Sequence, residues 1–176
     1  ESPSPRTNHG FMYPRVTASG RKVCLVPHRH AGYVGRMSAD HASRRRALRA
    51  LLAERDLDAL LVTDLLNIRY LTGFTGSNAA LVVATDDDSD ESRTVISTDG
   101  RYVTQVAAQV PDLRADIARA SAAHLVAAAT EPPATWGFES HVVTVDERFR
   151  WDGLGSATRF VPAPGLVEEL RMVKDE

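Results

Sequence analysis

The sequence predicts an α/β layer fold built on a mixed sheet. Two observations carry this. Short apolar runs alternate with helical stretches of about three turns, the signature of crossover units. Two of the runs, separated only by an acidic loop, read as a hairpin, which makes the sheet mixed instead of purely parallel.

The elements follow in order. Asp40 to Arg55 has Leu48, Leu51 and Leu52 at i, i+3, i+4 spacing, predicting an amphipathic helix with Arg44 to Arg46 on its solvated side and Ser38 or Asp40 as cap. DALLVT, 58–63, is a strand buried on both faces. Asp64 caps a helix over Leu65 to Leu71, and GFTGSN, 73–78, is a turn-rich loop. AALVVA, 79–84, and RTVIST, 93–98, form the hairpin around the acidic loop 85–92. Gly100 to Val110 is helical and Pro111 ends it. Leu113 to Ala118 is an edge strand, Ala120 to Ala129 a helix, TWGFE, 135–139, a strand. A helix over Asp146 to Leu154, a strand over Thr158 to Val161 and a last helix over Leu166 to Asp175 complete the chain.

The composition is that of a globular protein: 176 residues, 43% hydrophobic and 25% charged. No apolar run approaches the ~20 residues of a membrane helix, so no membrane partner is expected. Cys24 is the single cysteine, which excludes a disulfide framework and fits a cytoplasmic setting. Residues 1–36 hold six Lys/Arg and one Glu, against fifteen and twenty-two in 37–176, so a charge of +5 precedes a body of -7. An acidic body argues against nucleic acid as the main ligand.

Residues 1–36 are proline-containing and unpatterned, and read as a disordered or non-native leader. Three origins compete: translated upstream sequence with Met37 as the natural start, a transit peptide, or a functional basic arm. The His28, His30 pair lacks further ligands at metal-binding spacing.

Motifs of catalysis are scarce. Gly153 and Gly155 lack the third glycine of a dinucleotide loop, and no strand precedes them. The acidic loop fails as an EF-hand, with Glu91 at the sixth position and Ser97 at the twelfth. Asp64, Asp99 and Glu139 each follow a strand and together suggest a Mg²⁺ site for phosphodiester cleavage, set against their simpler roles as caps and turn residues. His124 and His141 are isolated; Trp151 and one of Trp136 and Phe138 are core candidates.

Three ordered stretches are more specific: NIRYLTGFTGSNAALVV, 67–83, STDGRYVTQ, 97–105, and LVEELRMVKDE, 166–176, with GFESHVVTV, 137–145, between the last two. Together they resemble the amino-terminal domain of the creatinase/prolidase/aminopeptidase P family, most of all its Xaa-Pro aminopeptidase branch. The resemblance implies a mixed six-stranded sheet with helices on both faces, an RNase H-like layer fold, spanning 37–165, with 166–176 opening a linker helix. It also implies a catalytic domain beyond, of pita-bread fold, where two divalent metals (manganese or cobalt) on Asp, Asp, His, Glu and Glu cleave the bond before a proline. None of those ligands can be placed here, so this chain is expected to bind no metal, to carry no catalytic residue and to be inactive alone. Its expected partners are the catalytic domain of the same or a neighbouring subunit, a proline-containing peptide and further copies of itself. The resemblance places Gly73, Phe74, Gly76, Ser77, Arg101 and Tyr102 as cleft candidates, with Asn67, Arg69 and Tyr70 beside them. A stand-alone binding or assembly module without peptidase activity is the alternative.

Overall fold

The computed structural model describes residues 31–85, 91–129, 134–154 and 157–172, with side chains from residue 41 onward. They belong to one unit, Ala31–Glu176. Of the stretch read as a leader, 31–36 is described and is helical, whereas residues 1–30 with Cys24 and the His28–His30 pair, Gly155 and the centre of the acidic loop lie outside the described residues.

Six strands form one sheet in the order β4-β3-β2-β1-β5-β6. These are β1 (Ala59–Val62), β2 (Ala79–Ala84), β3 (Val95–Thr98), β4 (Arg114–Ile117), β5 (Thr135–Phe138) and β6 (Arg159–Pro162). β2 is antiparallel to both β1 and β3, whereas β3–β4, β1–β5 and β5–β6 pair in parallel. β2 alone is therefore reversed. The apolar runs explain the central positions: every residue of β1, β2 and β3 is buried, while edge strands β4 and β6 are only partly so.

Helices cover both faces. On one lie α1 (Ala31–Ala53), α2 (Leu65–Thr72), α3 (Val103–Gln109) and α6 (Leu166–Met172), joined through Leu48, Leu52, Ile68, Val106 and Val167 to Leu60, Val62, Leu81 and Val83. On the other lie α4 (Ser121–Ala128) and α5 (Val145–Asp152), whose Leu125, Val126 and Trp151 pack on Ala59, Leu61, Val82 and Phe138. The alternation of β1 residues between two cores follows from the two-residue strand period. Phe138 is thus the core aromatic of its strand and Trp136 packs at the border.

Three expectations are corrected. First, α1 starts at Ala31, inside the stretch read as a leader, so Ser38 and Asp40 lie within the helix and not at its start. Second, the helix expected from Gly100 opens with a 3-10 turn over Gly100–Tyr102. Third, the arginine run is not a solvated face. Arg45 is fully buried: its guanidinium bonds Glu91, the Leu71 carbonyl (2.9 Å) and Asp112 (2.6 Å). Arg49 joins by bonding Glu91, the Ala84 carbonyl (3.1 Å) and Thr94 Oγ1 (3.1 Å). This cluster ties α1 to α2, to the β2–β3 hairpin and to the approach to β4.

Burial pushes the Glu91 carboxyl up, but hydrogen bonds from Arg45 and Arg49 and their charges outweigh it and hold it below its ordinary value. A depressed carboxylate stabilises the fold at neutral pH, and that contribution is lost as pH falls through the glutamate range near about 4 and below. Arg45→Ala should therefore cost about 3–5 kcal/mol in urea unfolding at pH 7, because it strands the largely enclosed Glu91 carboxylate. The deficit should shrink below about pH 4, where Glu91 protonates.

Candidate functional site at the carboxyl edge of the sheet

Because β2 runs against the other five strands, its amino end lands beside their carboxyl ends. Thr63 after β1, Asn78 before β2, Asp99 after β3, Arg119 after β4 and Glu139 after β5 all stand on one edge. This is the edge where open α/β sheets bind ligands.

Glu139 anchors it. The side chain is 1% exposed, and its Oε2 accepts the backbone N–H of Thr63 (2.6 Å) and Asp64 (2.8 Å). Asn67 Nδ2 donates to Glu139 Oε1 (2.7 Å) and to Glu168 Oε1 of α6 (2.7 Å), while Arg171 Nη1 donates to Asn67 Oδ1 (2.9 Å). His141 Nε2 lies 3.3 Å from Glu168 Oε1. Burial pushes the Glu139 carboxyl up, only partly offset by its donors, and the nearby Asp64 pushes the same way. Glu168 is also pushed up by burial, but Asn67 and His141 bring it below its ordinary value.

The loop 73–78 is built on glycine at two positions. Gly73 caps α2 at φ 77°, and a Cβ there would meet His41 Nε2 at 2.8 Å. A Cβ on Gly76 would lie 2.3 Å from the Phe74 ring. That ring is 1% exposed and meets Tyr102 edge-on at 5.8 Å. The loop is also braced from α3: Gln109 Oε1 accepts the Thr75 N–H (3.0 Å), and Gln105 Nε2 donates to Thr75 Oγ1 (2.9 Å). Ser77 Oγ and the Tyr102 hydroxyl share a 2.6 Å bond, which lowers the phenol below its ordinary value.

Beside the loop, Arg101 clamps Asp99 through Nε (2.9 Å) and Nη2 (2.7 Å). With a further bond from Asn78 (2.8 Å), this holds the Asp99 carboxyl well below the carboxylate range. The Arg101 side chain is nevertheless 69% exposed.

The candidates thus fall into three sets. Ser77, Arg101 and Tyr102 present polar atoms at the edge, with Gly73 and Gly76 shaping the loop between them. Asn67 and Phe74 are interior, one in the Glu139 network and the other in the core. Tyr70 holds α6 through a hydroxyl bond to the Leu170 carbonyl (3.3 Å) and lies under the Arg44 guanidinium, 4.4 Å from its ring centre; Arg69 is exposed. Asp64, Asp99 and Glu139 share the edge, yet the first caps α2 and the other two are enclosed by N–H donors. Among the described residues no group of three His, Cys, Asp or Glu side chains is placed to hold a metal ion. This donor set does not fit a two-metal centre.

Sequence reading overlooked Arg119 and the bonds of Asn67 to Glu168 and Arg171. Arg119 directly follows a predicted strand, as the three carboxylates do; a search of strand ends for cations as well as acids finds it.

Fold and edge define the class first: a mixed α/β domain whose carboxyl edge offers a polar groove beside a glycine loop. The family model for the creatinase/prolidase N-terminal domain matches residues 44–173, and the chain belongs to that family. It is similar to the N-terminal domain of the cytoplasmic peptidase PepQ from Mycobacterium tuberculosis H37Rv, with 48% identity and a TM-score of 0.68 over 73% of this chain and 98% of that one. The N-terminal domain of a putative metallopeptidase from Corynebacterium diphtheriae shares 44% identity at a TM-score of 0.65, over 71% and 97% of the two chains. An Xaa-Pro aminopeptidase structure from Streptococcus pyogenes shares 29% identity at a TM-score of 0.63, over 77% and 100%. An uncharacterized peptidase, YqhT of Bacillus subtilis (strain 168), is 30% identical over 129 residues, 72% of this chain and 35% of its own length. The chain therefore spans about a third of that curated relative.

Asn67→Asp should place a third carboxylate between Glu139 and Glu168. Chemical denaturation at pH 7 should show a loss of about 3–5 kcal/mol. The loss should shrink as pH falls towards about 5, because crowded carboxylates take up protons more readily.

Proposed function

We propose that this is the non-catalytic amino-terminal domain of an Xaa-Pro aminopeptidase- or dipeptidase-like metallopeptidase, and that it shapes substrate access to a catalytic domain. One observation carries the reading. The braced loop 73–78 and the exposed Arg101 guanidinium flank the same open edge, where a fixed arginine can meet a peptide carbonyl or carboxylate. The relatives support it: the similar structures include an Xaa-Pro aminopeptidase and a peptidase described as cytoplasmic.

The metals of such an enzyme, manganese or cobalt, belong in this reading to the catalytic domain, whose water activation this chain's edge does not supply. The domain by itself is inactive on peptides. The same reading includes assembly into a homo-oligomer and a cytoplasmic setting. Val145 and Phe149, one turn apart on α5 and 72% and 69% exposed, support a contact surface on that side. Among the described residues no helix is long and apolar enough to cross a membrane.

In the enzyme that joins this domain to its catalytic partner, Arg101→Ala should raise KM for an Xaa-Pro peptide about five- to tenfold with a smaller change in kcat. Steady-state kinetics check this; unchanged KM and kcat overturn the cleft role.

A further inference from the structure

Arg119 differs from the other arginines of the carboxyl edge. Two cavities open there, of about 380 and 620 Å³, and Asn78 and Arg119 line both. Three arginines line them in all. Arg101 spends Nε and Nη2 on Asp99 and keeps only Nη1 for a ligand, and Arg150 pairs with Asp146 through Nη2. Arg119 makes no side-chain hydrogen bond or ion pair among the described residues, so its N–H donors stay open to a ligand.

Its main chain, by contrast, is fixed. Asn78 Nδ2 donates to the Arg119 carbonyl (3.2 Å) and to Asp99 Oδ2 (2.8 Å). The preceding Ala118 N–H bonds the Thr98 carbonyl (2.8 Å), and Thr98 Oγ1 bonds the Asn78 carbonyl (2.6 Å). Three strand ends thus converge on one residue whose side chain is unclaimed. Small residues, Gly100, Ala120, Ser121, Ala122 and Ala123, line the part of the wall next to Arg119 in sequence or across the edge, while Leu65, Glu147, Arg150 and Trp151 line the rest of one cavity and Asp99 and Arg101 the rest of the other. A guanidinium on a fixed main chain, in a groove with small residues beside it, is chemically suited to a carboxylate, which it meets with two parallel N–H bonds.

We propose that Arg119 recognises the free carboxylate of a short peptide lying in this groove. The inference rests on the reading of the edge as a peptide cleft and adds the group that selects a short substrate with a free carboxyl end. Arg119 positions the ligand and takes no part in bond cleavage.

The test is a nitrogen–proton correlation NMR titration of the isotopically labelled chain. The probes are the tripeptide Ala-Pro-Ala as free acid and as carboxy-terminal amide, at equal ionic strength. The free acid should shift the Arg119 Nε–H signal and the amides of Asn78 and Ala120 to Ala123, and should bind about fivefold tighter than the amide, as expected of an exposed charge pair. Arg119→Gln should abolish that preference. Arg159→Gln, which removes the same charge at the start of β6, should keep it. An unchanged melting temperature shows that each variant is folded. If acid and amide shift the groove equally, the cleft stands and the role of Arg119 falls. A preference for the acid that persists in Arg119→Gln also overturns it. If neither peptide shifts the groove, the cleft reading falls together with this one.

Discussion

A buried carboxylate organises this domain. Glu139 is almost fully removed from water, so its oxygens must find donors inside the protein. They find them on the turn after β1 and on α2, which fixes β5, β1 and α2 to one another at the carboxyl edge. The donors do not fully offset burial, since the carboxyl is still pushed up. The interaction is therefore better understood as specifying one arrangement than as adding stability, because an apolar residue of similar size would avoid the desolvation altogether.

That arrangement reaches the groove through α2. Asn67, in the first turns of α2, holds both Glu139 and α6, and Gly73 at the other end opens the glycine loop. Eight helical residues span about 12 Å. A helix of that length is a stiff strut, so the position of the loop is set by the same carboxylate that holds α6. Disturbing Asn67 acts on the groove without touching a ligand. The buried Arg45 cluster does the corresponding work at the far end of α2, where it takes the Leu71 carbonyl and prevents the last turn from fraying.

Much of the fold was legible because strands buried on both faces must be written as continuous apolar runs. β1 and β2 are such runs, and the antiparallel pairing of β2 with β3 followed from the hairpin read around the acidic loop. What could not be read was burial of charge. Arg45 sits in a run of three arginines, and its partners Glu91 and Asp112 lie 46 and 67 residues away, so no local pattern distinguishes it from its solvated neighbour Arg46. Glu139 poses the same problem: a carboxylate after a strand reads equally as a ligand, a cap or an interior acceptor until its donors are seen. Phe74 and Asn67 carried the family resemblance, and they support the edge from within.

The reversed strand decides what kind of edge this is. In a fully parallel sheet only carboxyl ends meet at the binding edge. Here β2 contributes its amino end, and with it a glycine loop and the Asn78 carboxamide, inserted between the ends of β1 and β3. The acids at this edge are spent: Asp99 on Arg101 and Asn78, Glu139 on N–H groups of the β1–α2 turn. A carboxyl held well below its ordinary range, as Asp99 is, binds protons too weakly to serve as an efficient general base near neutral pH. What remains open to a ligand is the Arg119 guanidinium, the outer nitrogen of Arg101 and the Ser77–Tyr102 hydroxyl pair. Such a set is suited to discriminating between ligands by fit and charge.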